Sequence, residues 1–398
     1  PIIFPQYHPI PENDEFWGEN FTEWTLLNKI SENYMGNKLE KPHSSLGQYN
    51  IMSDEHIETT ERIFNEYLSG TAIYYHYWFK GHKVMYKPLE RLRDNNKPNI
   101  KYALTWANET WSSRWDGLED NVLISQKYGE QKDWILHIEY LLTFFKSRNY
   151  IIINNKPLFY IYRPLDIPFE IFEKMMRIFN DHVIKHGFSG LQLIIYYNNT
   201  PNIHMYDKYK NNVYVDGVMD FNPNYSNTKA FALYQEIDDS SLIFKRKINN
   251  DIIYNEETYL KYNIDVRQAI NKNELKNGYI HYINLSEQEK KSRIYKSSLA
   301  DIVSCYDYIE KEPKKHNLQL YSTFMGWDNS PRRDITKIGI KPTIFFGSSP
   351  YVFKKHFKNM VIKLIKKPNE NLNWIIINAY NEWNEQTCLE PSDKYGYK

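Results

Sequence analysis

Cysteine is scarce in this chain of 398 residues: Cys305 and Cys388 stand far apart, with no C-x-x-C pattern. That argues against a disulfide framework or a thiolate zinc site, and it favours a reducing compartment, so a cytoplasmic location is the expectation. No run of about 18 apolar residues occurs, so no membrane-spanning helix is expected. The opening Pro1-Ile-Ile-Phe-Pro-Gln has neither the basic nor the long apolar region of a secretory leader. Charge of one sign is missing too. Lys+Arg 50 against Asp+Glu 49 leaves a net charge of +1, and no overall field draws the protein to nucleic acid or an anionic membrane. H-E-x-x-H, G-x-S-x-G and D-x-D signatures are absent, and Asp238-Asp239 is a poor substitute for the last. Neither a metal nor another cofactor is expected.

What the chain has in excess is aromatic surface, 16% of residues with Tyr 34 and Trp 10. Tyr and Trp offer a flat apolar face together with a polar handle, which suits the C–H faces of sugar rings.

Apolar, β-branched runs alternate with helical spacing along most of the length. Strands are expected at Ile2 to His8, Thr71 to Phe79, Ile100 to Glu109, Pro157 to Pro164, Leu191 to Asn198, Asp216 to Pro223, Gln319 to Asn329 and from Asn373 onward. Helices are expected between them, one opening at Ser53 as N-cap and stopping at Gly70, another over Phe169 to His186. From about 225 to 296 the beat is lost in Asn-, Lys- and Tyr-rich sequence. The count predicts an α/β chain of the (β/α)8 TIM-barrel type, one catalytic domain over 1–398, with an insertion at about 225–296 between strands 6 and 7. A doubly wound open sheet is the rival, but it would place a Gly-rich phosphate loop where Tyr7-His8-Pro9 stands.

A barrel builds its site at the C-terminal ends of its strands. Those ends carry Tyr7 and His8, His76 and Trp78, Trp106, Asn108 and Glu109, Tyr162 and Arg163, Tyr196 and Asn198, Asn222, Trp327 and Asp328, and the run Asn381-Glu-Trp-Asn-Glu. Acids, amides and aromatics with few aliphatics make a wet groove for polyhydroxylated ligands. For each residue singly the alternative is a cap or a core hydrogen bond. Trp111 and Arg114 lie in the loop after strand three, where Glu109 has a choice between a substrate hydroxyl and Arg114.

Glu382 and Glu385 are three positions apart just past the last strand. In a continued strand they would point to opposite faces; a helical turn puts them together, able to flank one scissile bond as acid and base. The alternative is a solvated helix start, where acids are also favoured.

These residues carry a resemblance. Pro5-Gln-Tyr-His-Pro-Ile-Pro-Glu-Asn-Asp-Glu, Phe21-Thr-Glu-Trp, Tyr75-His-Tyr-Trp-Phe, Trp106-Ala-Asn-Glu, Arg114-Trp-Asp-Gly, Gly326-Trp-Asp-Asn, Pro331-Arg and Asn381-Glu-Trp-Asn-Glu with Leu389-Glu-Pro resemble the WbsX-type family. That family is labelled as glycosyltransferases of surface polysaccharide loci and is similar in pattern to glycoside hydrolase family 99. The resemblance implies a retaining (β/α)8 hydrolase acting on α-mannoside-like linkages within an oligosaccharide or polysaccharide. It makes Glu385 the acid/base and Glu382 the group that withdraws a proton from the sugar 2-hydroxyl, with Tyr7 near the reacting sugar. Asn381 and Trp383 would flank the pair, and the Trp106 region would wall the pocket. Where relatives place a glycine after the second glutamate, this chain has Gln386. A glycosyltransferase and a non-catalytic carbohydrate-binding barrel are the alternatives.

Overall fold

The structure, a computed structural model, describes residues 1–398 except 34–36, 113–121, 198–204, 224–243, 249–250, 255–259, 261–262, 287–288, 290–298 and 334–341. Eight parallel strands follow one another around a single sheet in chain order: β1 Ile2–Ile3, β2 Thr71–Phe79, β3 Lys101–Trp106, β4 Lys156–Ile161, β5 Gln192–Tyr197, β6 Gly217–Asp220, β7 Gln319–Thr323 and β8 Ile375–Ile377. Between them lie α1 Asp54–Tyr67, α2 Lys87–Asn95, α3 Gln131–Phe145, α4 Phe169–Lys185, α5 Tyr206–Lys210, α6 Ile302–Lys311 and α7 Pro350–Lys366. This is the expected (β/α)8 architecture. Every residue of β5 is buried, as a parallel strand covered on both faces requires. The helices bury one stripe each. In α1 the Ser53 hydroxyl accepts from the His56 amide, while Ile57, Thr60, Ile63 and Phe64 turn inward at helical spacing.

The cylinder closes without a ladder between β8 and β1. The Tyr380 amide donates to the Ile2 carbonyl at 2.7 Å, and the side-chain amide of Asn381 does the rest. Its oxygen accepts from the Phe4 amide at 2.8 Å and its nitrogen donates to the Phe4 carbonyl at 2.9 Å. One asparagine thus pairs with both backbone groups of a residue as a strand would.

Several strands are shorter than expected, β1 and β7 most of all. β1 stops after two residues because Pro5 has no amide to donate and the Tyr7 amide turns back onto the Pro5 carbonyl. β7 ends at Thr323, and Trp327–Asp328 instead pairs antiparallel with Ile344–Phe346, itself parallel to Leu299–Asp301, in a small side sheet. A Cβ on Gly326 would stand 3.2 Å from the Gln386 carbonyl oxygen, so the chain's close passage here favours glycine. Of the insertion expected at about 225–296, the hairpin Phe244–Ile248 with Asp251–Tyr254 and the helices Ile264–Asn271 and Gly278–Ile283 are described. Most of the remainder, with Asp238 and Asp239, lies outside the described residues. Among those described, no helix is long and apolar enough to cross a membrane.

Replacing Asn381 by Leu leaves two buried backbone groups of Phe4 unpaired, and stability should fall by about 3 kcal/mol in urea unfolding. A loss below about 1 kcal/mol would mean that the seam is held elsewhere.

Candidate active site

The acids sit on a hairpin beyond β8. Asn381–Glu382 runs out, Trp383–Glu385 makes one 3-10 turn, Gln386 takes φ 49°, and Thr387–Cys388 returns antiparallel to the outgoing pair. Side chains three apart eclipse in a 3-10 turn, which brings Glu382 and Glu385 to one side; the expected helical bend is this tighter turn. At Gln386 the left-handed backbone would suit glycine. Its side chain compensates, donating to the Trp383 carbonyl at 2.8 Å and accepting from the Glu40 amide at 2.7 Å.

Both carboxylates meet one guanidinium. Arg332, from the segment between β7 and β8, lies 2.6 Å from Glu382, 3.2 Å from Glu385 and 3.2 Å from Glu23, which is fully buried at the opening of the Glu23–Leu27 helix. The amide of Asn384 also donates to Glu23, and the Phe4 ring lies 5.6 Å from the guanidinium carbon. Three acids converge on Arg332, and Arg333 adds a second, more distant positive charge beside Glu385. Burial, opposed by Arg332, lifts Glu382 well above the usual carboxylate range and raises Glu385. On Arg332 burial acts to lower the pKa, but Glu23, Glu385 and Glu382 outweigh it and keep the guanidinium charged. Glu382 is lifted further than Glu385: repulsion from Glu385 adds to its burial, while Arg333 joins Arg332 in opposing the rise at Glu385. Arg332 pairs with both acids, and its shorter contact, with Glu382, favours charge on that side of the pair.

The pair opens into a cavity of about 390 Å3. Of the sequence-expected residues, Glu109, Trp111, Tyr162, Arg163, Trp327, Glu382 and Glu385 line it. Tyr7, His8, His76, Trp78, Trp106, Asn108, Tyr196, Asp328, Asn381 and Trp383 do not; they are buried against protein. Strand alternation explains three of these departures. His76, Trp78 and Trp106 point outward beneath α3, where Trp78 stacks on His137 at 4.8 Å and the His76 and His137 rings meet at 2.9 Å. Burial drops His76 to about 3. The residue facing the cavity from β2 is the neighbour, Tyr75. Tyr196 stacks on Phe221 inside the barrel, the Tyr7 hydroxyl donates to the Asn381 carbonyl, and His8 bonds the Pro5 carbonyl. Asn108 clamps the end of β4, accepting from the Arg163 amide and donating to its carbonyl, both at 2.8 Å. Asp328 caps Ser330. Arg114 and Asn198 lie outside the described residues.

Arg332, Arg333, Trp17 and Phe4 also line the cavity, and Glu23 braces it from behind. Sequence reasoning did not single them out as site residues, though Arg332 and Glu23 stand inside quoted motifs. Two buried acids need a counter-ion, and that need is the signal that finds Arg332. Arg163, itself 3.2 Å from Glu109, contributes a second ion pair on the cavity wall.

Under the turn, the Trp383 indole and the Tyr49 hydroxyl both donate to Glu390, at 2.7 and 2.9 Å. Burial pushes this carboxyl up to about 8. Among the described residues, no group of three or more His, Cys, Asp or Glu side chains is arranged to hold a metal.

A (β/α)8 barrel with an acid pair and aromatic walls at its C-terminal rim is the build of a carbohydrate-active enzyme. The chain belongs to the family described as Glycosyltransferase WbsX, whose model matches residues 1–398. Two relatives described as "Uncharacterized protein WxcX", from two strains of Xanthomonas campestris pv. campestris, are 23% identical over 402 residues, covering 100% of this chain and 47% of theirs. The chain spans about half the length of these curated relatives. Among solved structures, the GH99 endo-alpha-mannosidase from Bacteroides thetaiotaomicron aligns at 13% identity and TM-score 0.49, over 100% of this chain and 90% of that one. A glycoside hydrolase-like protein aligns at 13% and 0.45, over 92% and 85%.

Arg332→Leu strips the counter-charge from buried acids and should cost about 3–5 kcal/mol near pH 8 but less at pH 5, where the acids take up protons; equal losses at both would indicate a packing defect alone. Glu390 holds its proton more tightly folded (about 8) than its ordinary 4.5. Its stabilising share is therefore full below 4.5 and lost as the pH climbs to about 8. In urea midpoints against pH, Glu390→Gln should show a shallower decline across that window than the parent.

Proposed function

We propose that the protein is a retaining glycoside hydrolase that cleaves α-mannoside-like linkages within a glycan or polysaccharide. The observation that carries this reading is one arginine gripping two buried glutamates at the rim of an aromatic-walled cavity. In the reaction we propose, charged Glu382 takes the proton of the sugar 2-hydroxyl, and that oxygen attacks the anomeric carbon. Glu385 protonates the departing glycosidic oxygen in the same step, leaving a 1,2-anhydro sugar. Glu385, now ionised, then takes a proton from water; the water oxygen opens the anhydro ring at the anomeric carbon, and Glu382 returns its proton to the 2-oxygen. Two inversions give net retention. Arg332 favours charge on Glu382 at the start and accommodates it on Glu385 afterwards, so the guanidinium serves both half-reactions without moving. Trp17, Trp111, Tyr75, Tyr162 and Trp327 supply faces for stacking sugar rings. The family's description favours a second reading, transfer of a sugar from an activated donor to a growing polysaccharide.

Incubation of mannose-containing polysaccharides with the protein, followed by NMR of the first-formed product, should give the α-anomer without added sugar nucleotide. Elongation that requires a sugar nucleotide, with no cleavage, would replace hydrolase by transferase. Glu385→Gln should lower turnover by about 10²–10⁴-fold while glycan affinity persists; an unaltered rate would remove Glu385 from the chemistry.

A further inference from the structure

The cavity holds two asparagines that the reaction above does not use. Asn378 and Asn329 both line it, and in each the backbone of another segment claims one half of the side-chain amide. Asn378 follows directly on β8 and is 2% exposed. Its main-chain amide donates to the Thr323 carbonyl at 2.8 Å, its main-chain carbonyl accepts from the Thr387 hydroxyl at 2.7 Å, and its side-chain nitrogen donates to the Asn222 carbonyl at 2.9 Å. Asn222 is itself bonded through its main-chain and side-chain nitrogens to Ser322 of β7, so the carbonyl that Asn378 meets is held in place. A carbonyl can only accept, which sets the nitrogen of Asn378 toward Asn222. The side-chain oxygen is then the one polar atom of Asn378 with no hydrogen-bond partner among the described residues. Asn329 is set the other way round: its oxygen accepts from the Thr343 amide at 2.7 Å, and its nitrogen is the half left over.

We propose, resting on the glycosidase reading above, that Asn378 is a specificity-determining residue. Its side-chain oxygen accepts a hydrogen bond from a hydroxyl of the sugar held against Glu382, so that sugar must carry a free hydroxyl at one ring position. An amide oxygen is satisfied only by a donor. A deoxy sugar offers none there, and an O-methylated or O-acylated sugar has lost it, so in either case a buried acceptor is left unpaired. Sites built to hydrogen-bond a hydroxyl reject the analogue that lacks it more strongly than apolar pockets sort by size. Phe4 and Phe221, the latter directly after β6, line the same cavity. Their rings hold the C–H face of the sugar while Asn378 reads one edge. The 2-hydroxyl is committed to Glu382 in the reaction proposed above, which leaves the hydroxyls at the 3-, 4- and 6-positions. Asn329 makes no such demand, because a donor nitrogen is satisfied by any oxygen, ether and ester included.

Calorimetric titration of p-nitrophenyl α-mannoside and its 3-, 4- and 6-deoxy and O-methyl congeners into Glu385→Gln, which leaves the ligand intact, tests this. One position is expected to matter. Removing or methylating that hydroxyl should weaken binding about tenfold or more, and adding Asn378→Ala should make the full sugar and that congener bind alike. A purely structural role would weaken every ligand by one factor and leave the discrimination standing. Asn378→Asp should preserve the discrimination at about pH 5, where a buried, protonated carboxyl donates to Asn222 and still accepts from the sugar. This second variant decides the matter if Asn378→Ala does not fold, which circular dichroism checks. The same selectivity in gluco or galacto congeners, without mannoside binding, would keep the role of Asn378 and remove the mannoside reading. Equal binding of all congeners by Glu385→Gln, discrimination that survives Asn378→Ala or vanishes in folded Asn378→Asp, or no binding in any of the three sugar series would each overturn the proposal.

Discussion

A single guanidinium is what allows this site to exist. Three carboxylates from two ends of the chain, Glu23 near the start and Glu382 and Glu385 near the finish, converge in a buried place where ionised acids repel one another and lose their water. Arg332 opposes the burial that pushes Glu382 and Glu385 upward. The planar fork suits the task, since its two terminal nitrogens address different carboxylates at once. Arg332 also ties three loops into one wall, since the acids come from the segments after β1 and β8 and the arginine from the segment after β7.

Much of the fold was legible because it is written locally. The alternation of β-branched runs with amphipathic stretches, the Ser53 cap and the β5 sequence are statements about neighbours, and they led to the barrel directly. The two glutamates were legible for the same reason, being three residues apart. What was not legible depended on parity or on distance. His76 and Trp78 sit at the right strand end, yet alternation turns them outward and gives the cavity to Tyr75; a half-turn decides it, and the sequence of β2, aromatic on both faces, does not mark which side is in. Asn381 looked like a ligand-binding amide because nothing nearby in sequence shows the two-residue first strand that needs it as a partner.

Burial separates the roles of the acids by environment. Glu390, beneath the turn with two donors on one oxygen, is a fastening held by Trp383 and Tyr49. Glu382 and Glu385, above the turn and against Arg332, face the cavity. The same residue type thus anchors the hairpin from below and arms it from above. Trp383, between the two glutamates in sequence, belongs to the anchor, which is why its indole is missing from the cavity wall.

The side-chain seam at Asn381 has a consequence for when the acid cluster forms. The residue that joins the last strand to the first is the chain neighbour of Glu382, so shutting the ring and aiming the acid are one event. A polypeptide whose tail is still apart from Phe4 lacks the seam that Asn381 makes, whatever the state of its other strands. In an incomplete or locally opened ring Glu382 and Glu385 would stand apart from Arg332 and Glu23, and the cluster would assemble only with the final turn of the ring.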